Sequence, residues 1–321
     1  MKLDLMITHW TEPWEVGEKA FKMLSVQRGV DWREIRVTLV HDGTKAFPQE
    51  YFAGCPFEVH QVELSHRGIA AVRNWCIDHG DAEWIKWCDF DDTFAHVYAV
   101  KNMMDVLRDS GRFDMIWFDL LWEYKDGRVF LRTDRNPVFI HDKAFRRSFL
   151  TGKGIRFKED LVWCEDSAFL SIVEMEIDHQ RIGKIKCDSP IYLYICRDGS
   201  LCNRQEIKFQ NLQSFFARHC YVADEFLKRG LMDQYFTMCV RIMADSYYTL
   251  CRVPGITEDK SEHEARVWAW FDAHRDAFYS CRAEIIGEVM EAVNKEDFEG
   301  GFITFKQVMD WIHEHERRVV S

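Results

Sequence analysis

Among 11 cysteines the sequence has no Cys-x-x-Cys pair, so the ligand spacing of a zinc ribbon is missing. The cysteine number is odd. The start, Met1-Lys2-Leu3-Asp4-Leu5-Met6-Ile7, places an Asp in a short apolar run, as a buried strand does and a signal peptide does not. Free thiols in a reducing cytoplasm are the simplest account. No stretch approaches the roughly 20 apolar residues of a membrane span. Basic residues are the minority, 42 Lys and Arg against 53 Asp and Glu, for a formal charge of −11. Proteins that hold nucleic acid by its phosphates present a basic face, so such a partner is disfavoured. The loop after the first apolar run, His9-Trp-Thr-Glu-Pro-Trp14, contains no glycine. That counts against the Gly-rich phosphate cradle of a nucleotidyl or phosphoryl transferase. Internal repeats and low-complexity tracts are also missing.

What is present is a globular composition, with 47% hydrophobic and 30% charged residues over 321 positions. Aromatics reach 14%, with 12 Trp, a residue suited to core packing and to partly wet sugar or base pockets. Up to about residue 204, short apolar runs alternate with amphipathic segments. Strands are expected at Leu3–Ile7, Ile35–Val40, Phe57–Val62, Trp84–Cys88 and Met115–Leu121, with helices at Glu15–Gln27, Ile69–Asp78 and Val97–Arg108. This order implies an α/β domain, 1–204, built on a mostly parallel sheet. From Gln205 the pattern turns helical, with segments Gln205–Lys228, Met232–Cys251, Ser261–Tyr279, Glu284–Val293 and Phe305–Arg318. The breaks fall at Arg229-Gly230, Pro254-Gly255 and Gly300-Gly301. Residues 205–321 are therefore expected to form an all-helical annex.

Ligands of parallel sheets bind where the loops after successive strands converge. Thr8, Asp42 and the run Asp89-Phe90-Asp91-Asp92 all lie just past expected strand ends. Three carboxylates in four positions suit a hard cation such as Mg²⁺ or Mn²⁺, which keeps positions open for phosphate oxygens. The plainer alternative makes Asp91 or Asp92 the N-cap of a following helix. His313-Glu-His315-Glu lacks metal-site spacing and reads as a helix surface, while Arg146-Arg147 and Arg317-Arg318 read as solvated basic pairs. Trp10 and Trp14 flank the first loop, where one could cover a base or sugar.

Several ordered pieces resemble family 2 glycosyltransferases of the GT-A fold. They are Thr8, Ser25-Val-Gln27, Asp42-Gly43-Thr44, Gly68-Ile-Ala-Ala-Val-Arg73-Asn74, and Trp84 through Asp92. Further on come Phe145-Arg-Arg-Ser-Phe-Leu150, Gly154-Ile-Arg-Phe157, Cys164-Glu165-Asp166-Ser-Ala-Phe169, and Ser189 through Tyr194 with Arg197-Asp-Gly-Ser200-Leu. His41 stands where the family carries the first Asp of its Asp-Asp-Gly element. The resemblance covers residues 3 to about 204 and implies a GT-A domain that transfers a sugar from a nucleotide-diphosphate donor, UDP-linked by preference. It implies Asp42 and the backbone near Thr8 at the nucleobase, Asp89 at the ribose or metal, and Asp91 on Mn²⁺ or Mg²⁺. Arg73 would meet the diphosphate. Arg cannot ligate a cation, so Arg197 is also expected at the diphosphate. An inverting transfer needs a base for the acceptor hydroxyl, and Asp166 holds that position; as plain chemistry, Glu165 and Asp166 also suit a helix's first turn. The acceptor implied is a saccharide of a surface polysaccharide or lipopolysaccharide. A phage-type enzyme acting on a modified DNA base and a non-catalytic sugar-nucleotide-binding module are the alternatives.

Overall fold

Leu3–His9 is buried at all seven positions, as a strand covered on both faces must be. The computed structural model describes residues 1–161, 163–184, 190–197, 208–253, 255–295 and 302–320. Ser189 and Asp198 to Leu201 of the resemblance, the helix start 205–207, and the turn signals at Pro254 and Gly300-Gly301 lie outside the described residues. The chain forms two compact units, Met1–Arg204 and Gln205–Ser321.

The first unit runs β1 (Leu3–His9), α1 (Trp14–Ser25), β2 (Ile35–Asp42), β3 (Val59–Leu64), α2 (Ile69–His79), β4 (Trp84–Asp89), β5 (Thr93–Phe94) and α3 (Ala99–Arg108). It continues with β6 (Met115–Trp117), β7 (Leu120–Glu123), β8 (Val129–Arg132), β9 (Lys143–Arg146), α4 (Arg147–Gly152), α5 (Glu165–Glu176), β10 (Ile182–Lys184) and β11 (Tyr192–Ile195). Seven strands form one sheet in the order β10-β6-β9-β4-β1-β2-β3, parallel except for β9. A second sheet has the order β5-β11-β7-β8. Leu5, Leu39, Trp84, Met103 and Ile116 are among the fully buried side chains of the core between the large sheet and its helices.

Two expectations are corrected. Met115–Leu121 is not one strand: β6 lies in the large sheet and β7 in the small one. The chain leaves the first ladder at Phe118, whose N–H goes to the Asp142 carbonyl (2.9 Å), and Asp119 then accepts from Ile191 (2.9 Å). The run is apolar on both sides of Asp119, and a single Asp does not by itself mark such a change of partner. Arg146 and Arg147 are not solvated either. Arg146 donates to the carbonyls of Phe113 (2.7 Å) and Ser110 (2.8 Å) and pairs with Glu83. Arg147 reaches Asp4, a fully buried carboxylate in β1, and donates to the carbonyls of Cys76 (2.8 Å) and Ala82 (3.0 Å). These are the unpaired carbonyls at the end of α2 and in the loop beyond. Gly80 allows this approach, because a Cβ there would fall 1.8 Å from Arg147 Nη2.

The second unit contains α6 (Lys208–Lys228), α7 (Met232–Tyr247), α8 (Ser261–Tyr279), α9 (Ala283–Asn294) and α10 (Phe305–Val320). A π-helical turn, Tyr248–Arg252, extends α7. His315 stacks flat on Trp268 (3.8 Å, 2°), and His313 is exposed. No described helix is long and apolar enough to cross a membrane.

Arg147→Ala leaves the Asp4 charge buried without its counterion, and a loss of about 3–5 kcal/mol is expected in urea unfolding. Stability within about 1 kcal/mol of wild type would remove the stitching role given to Arg147.

Candidate active site

β1, β2 and β4 are parallel neighbours, so Thr8, Asp42 and Asp89 arrive at one carboxyl edge of the sheet. Phe90 anchors the turn after β4. It is 1% exposed, with its ring against His9 (4.6 Å) and flat on Phe47 (5.4 Å, 11°). Gly17 of α1 makes room, since a Cβ there would lie 2.2 Å from Phe90 Cζ. Thr8 sits opposite Asp89 in the ladder, and its Oγ1 donates to Asp89 Oδ1 (3.0 Å). The Asp89 N–H donates to the Tyr192 hydroxyl (3.2 Å). Burial pushes the Asp89 carboxyl upward, but His141, Arg73 and the Thr8 hydrogen bond outweigh it and hold it below the ordinary range.

Arg73 stands at the centre. Its guanidinium, buried in α2, donates through Nη1 to Glu165 Oε1 (2.9 Å) and to Asp166 Oδ1, and Nη2 lies 3.5 Å from Asp89 Oδ1. Burial disfavours its charge, yet the carboxylates Asp166, Asp89 and Glu165 raise its proton affinity overall. Glu165 and Asp166 occupy the first turn of α5, entered through Cys164 in a left-handed conformation (φ 64°). Burial pushes Asp166 well above its ordinary value; Arg73 opposes this, while Glu165 and Asp89 add to it. Arg73 is therefore engaged by three carboxylates, including the one expected to act as base.

Asp92 is succeeded by β5, and α3 begins only at Ala99, so Asp92 is not a helix cap. Its carboxylate accepts from Tyr192 Oη (3.0 Å) and the Ile195 N–H (2.8 Å). Burial, with Asp91 and Asp89 nearby, drives its pKa far upward. His141 Nε2 lies 3.5 Å from Asp89 Oδ2, and its buried Nδ1 has no hydrogen-bond partner among the described residues. Burial pulls the imidazole down to about 4, leaving a neutral ring. One ligand-type atom each from Asp89, Asp92 and His141 can be chosen so that all lie within 4.8 Å of one another. Asp91, expected on the metal, instead accepts from Arg197 Nε, while Arg197 Nη2 donates to Glu12 Oε1 (2.7 Å). Neither His141 nor Glu12 stands in a motif, and their place at the site was not legible from spacing.

Asp42 closes the β2 end. Its oxygens accept from the N–H groups of Arg67 (2.8 Å) and Gly68 (3.0 Å) and face His66 Nδ1 (2.9 Å), holding the loop that leads into α2. A pocket opens beside it, with Leu64, Arg67 and Trp75 in its wall. His41 lies Nδ1 to Nδ1 against His9 (2.9 Å). Trp10 is 42% exposed and stacks on His66 (5.5 Å, 12°), whereas Trp14 packs against Phe21 and Phe52. Thr8, Arg73, Asp89 and Asp166 thus form one connected group, with Asp91 and Arg197 paired beside it and Asp42 on the neighbouring rim.

No protein-family model matches the sequence, and no curated protein does. Solved structures do match. S. aureus TarS superposes with a TM-score of 0.59 at 16% identity, over 89% of this chain and 50% of that one. This chain therefore spans about half of the TarS chain. A 1–349 portion of TarS in complex with UDP matches over 93% of both chains, with a TM-score of 0.57 and 15% identity. The same portion in complex with UDP-GlcNAc gives 0.57 and 16%, over 92% of this chain and 82% of that one. At such identities the likeness is one of architecture, and this chain has the GT-A fold: a mostly parallel sheet flanked by helices, with a helical carboxyl-terminal region.

Proposed function

We propose that the chain is a glycosyltransferase, of the family 2 kind, that moves a sugar from a nucleotide-diphosphate donor to an acceptor hydroxyl. The observation that carries this reading is the convergence of Asp89, Glu165 and Asp166 on buried Arg73 at the carboxyl edge of a GT-A sheet. The UDP and UDP-GlcNAc bound by TarS support a UDP-sugar as donor. Asp166 removes the proton of the acceptor hydroxyl as its oxygen attacks the anomeric carbon. The bond from that carbon to the diphosphate breaks, the nucleoside diphosphate departs, and the configuration inverts. Arg73 opposes the rise in proton affinity that burial imposes on Asp166 and holds the carboxylate in one orientation. Asp42 and the pocket beside it take the nucleobase, with Thr8 next to them. Arg197, on the Glu12–Asp91 side, faces the diphosphate.

Two carboxylates and a neutral imidazole whose buried Nδ1 lacks a hydrogen-bond partner among the described residues fit a divalent cation. The nitrogen donor favours Mn²⁺ over Mg²⁺. Asp89, Asp92 and His141 would hold the ion, with Asp91 the further candidate once Arg197 turns to the donor. A bound cation supplies charge neutralisation for the departing diphosphate. The acceptor is proposed to be a saccharide hydroxyl. The described cysteines are all free thiols, which suits a reducing cytoplasm.

Calorimetry with UDP is expected to show binding that tightens with Mn²⁺; equal affinity with and without the metal would remove the cation from this account. Asp166→Asn is expected to keep UDP binding and to lose about 10²–10⁴-fold in transfer. Transfer at wild-type rates would dismiss Asp166 as base. Arg73→Met removes the cation that favours ionised Asp166, so the acid limb of the pH–rate profile should move to higher pH. An unmoved limb would refute the role of Arg73 in setting the acidity of the base.

A further inference from the structure

His9 and His41 stand opposite each other where β1 and β2 end, next to Thr8 and Asp42. Both side chains are buried. Their partners fix where the protons must be. His9 Nε2 faces the Glu12 carbonyl (2.8 Å), which can only accept, so this nitrogen carries a proton. His41 Nε2 faces Gln61 Oε1 (3.0 Å). That amide cannot be turned round, because its oxygen accepts from the Phe47 N–H (2.9 Å) and its nitrogen donates to the Phe47 carbonyl (2.8 Å). His41 Nε2 therefore carries a proton too. A neutral imidazole has one N–H, which leaves both rings with bare lone pairs at Nδ1. Those two nitrogens lie 2.9 Å apart. The Thr44 hydroxyl, 3.2 Å from His9 Nδ1, serves one ring only. Three contacts need three protons, and two neutral rings supply two.

We infer that His9 and His41 share one added proton between their Nδ1 atoms and act together as positioning residues for the donor site. The inference rests on the donor site proposed above and names what holds its first loop. An N–H···N hydrogen bond spans the observed 2.9 Å, whereas two nitrogens on one tetrahedral zinc, each about 2.0–2.1 Å from it, lie about 3.3 Å apart. Uncharged rings surround the pair, with Phe47 and Phe90 against His9 (4.9 and 4.6 Å). Of the charged groups facing it, Glu12 and Glu63 favour the added charge and are themselves paired with Arg197 and Lys45. Asp42, next in β2, is turned to the Arg67 and Gly68 N–H groups and to His66. Burial works against the charge and pulls each imidazole taken singly down, His41 to about 4. One proton bonded to both rings acts the other way, since it removes the opposed lone pairs and leaves a single charge to bury. The contact reaches the donor through Glu12. His9 Nε2 holds the Glu12 carbonyl, and Glu12 Oε1 accepts from Arg197 Nη2 (2.7 Å), the arginine proposed at the diphosphate. When the pH rises and the proton leaves, the Nδ1 atoms repel, the Glu12 loop loosens and Arg197 loses its seat.

Histidine-selective ¹⁵N NMR of the wild-type chain tests the shared proton. Between about pH 5 and 8, one strongly downfield proton coupled to both Nδ1 atoms is expected, fading as pH rises, with both Nε2 atoms protonated throughout. Absence of that proton over the whole range would overturn the inference. So would a stoichiometric metal ion held by the wild type and lost in His41→Asn. This variant puts a neutral amide N–H near the place of Nδ1 and needs no added proton. UDP titrations of both proteins across the same range test the positioning role, and the titration of UDP itself cancels in the ratio of affinities. Proton and donor binding are linked, so wild-type affinity is expected to fall about tenfold relative to His41→Asn as pH rises. Parallel profiles would overturn the positioning role. If His41→Asn does not fold, His9→Asn takes its place and the wild-type spectrum still decides the proton. Absent UDP binding at every pH would count against the donor reading, and the spectrum would still decide the pair.

Discussion

Carboxylates crowded at the edge of a sheet repel one another and lose their hydration, and a buried cation has to offset both effects. Arg73 does so for Asp89, Glu165 and Asp166 at once. Its guanidinium offers a planar fork of donors, which lets one charge meet three acceptors from two elements. The carboxylates come from β4 and α5, and the arginine from α2, so this one group joins parts of the chain more than ninety residues apart. If Arg73 were withdrawn, α5 would bring two acids into a site that already holds three. Both the position of the proposed base and its ionisation hang on that contact.

A second buried cation lies beneath the same site. Lys86 of β4 is fully buried, with Nζ 4.3 Å above the Tyr192 ring. Tyr192 in turn donates to Asp92 and accepts from the Asp89 N–H, so its hydroxyl links the two sheets through the acidic turn. The break at Phe118 and Asp119 makes this possible. It moves the chain from the large sheet into the small one, and β11 then pairs beside β7. The place of Tyr192 at the acidic turn follows from that change of strand partner.

Much of the fold was legible because its signals are local. The apolar runs at Leu3–His9, Ile35–Asp42 and Trp84–Asp89 and the helical periods at Ile69–His79 and Ser261–Tyr279 stand in the structure within a few residues of where the pattern puts them. The parallel sheet came from their alternation. Arg146 and Arg147 misled because a basic pair looks the same in sequence whether water or buried carbonyls receive its protons. Asp92 misled because a helix cap and a buried acceptor use the same side chain. The short strand β5, standing directly after it in place of a helix, carries no local mark.

From the sequence alone came the order of strands and helices, the acidic turn after β4, and the family-like pieces holding Asp42, Arg73, Asp89 and Asp166. Local spacing and side-chain chemistry suffice for these. Tertiary structure decided which charges meet: Arg73 with Asp89, Glu165 and Asp166, Arg197 with Glu12 and Asp91, and His141 beside Asp89. Those pairings span up to 185 residues, and an ion pair depends on distance in space, which no local pattern encodes.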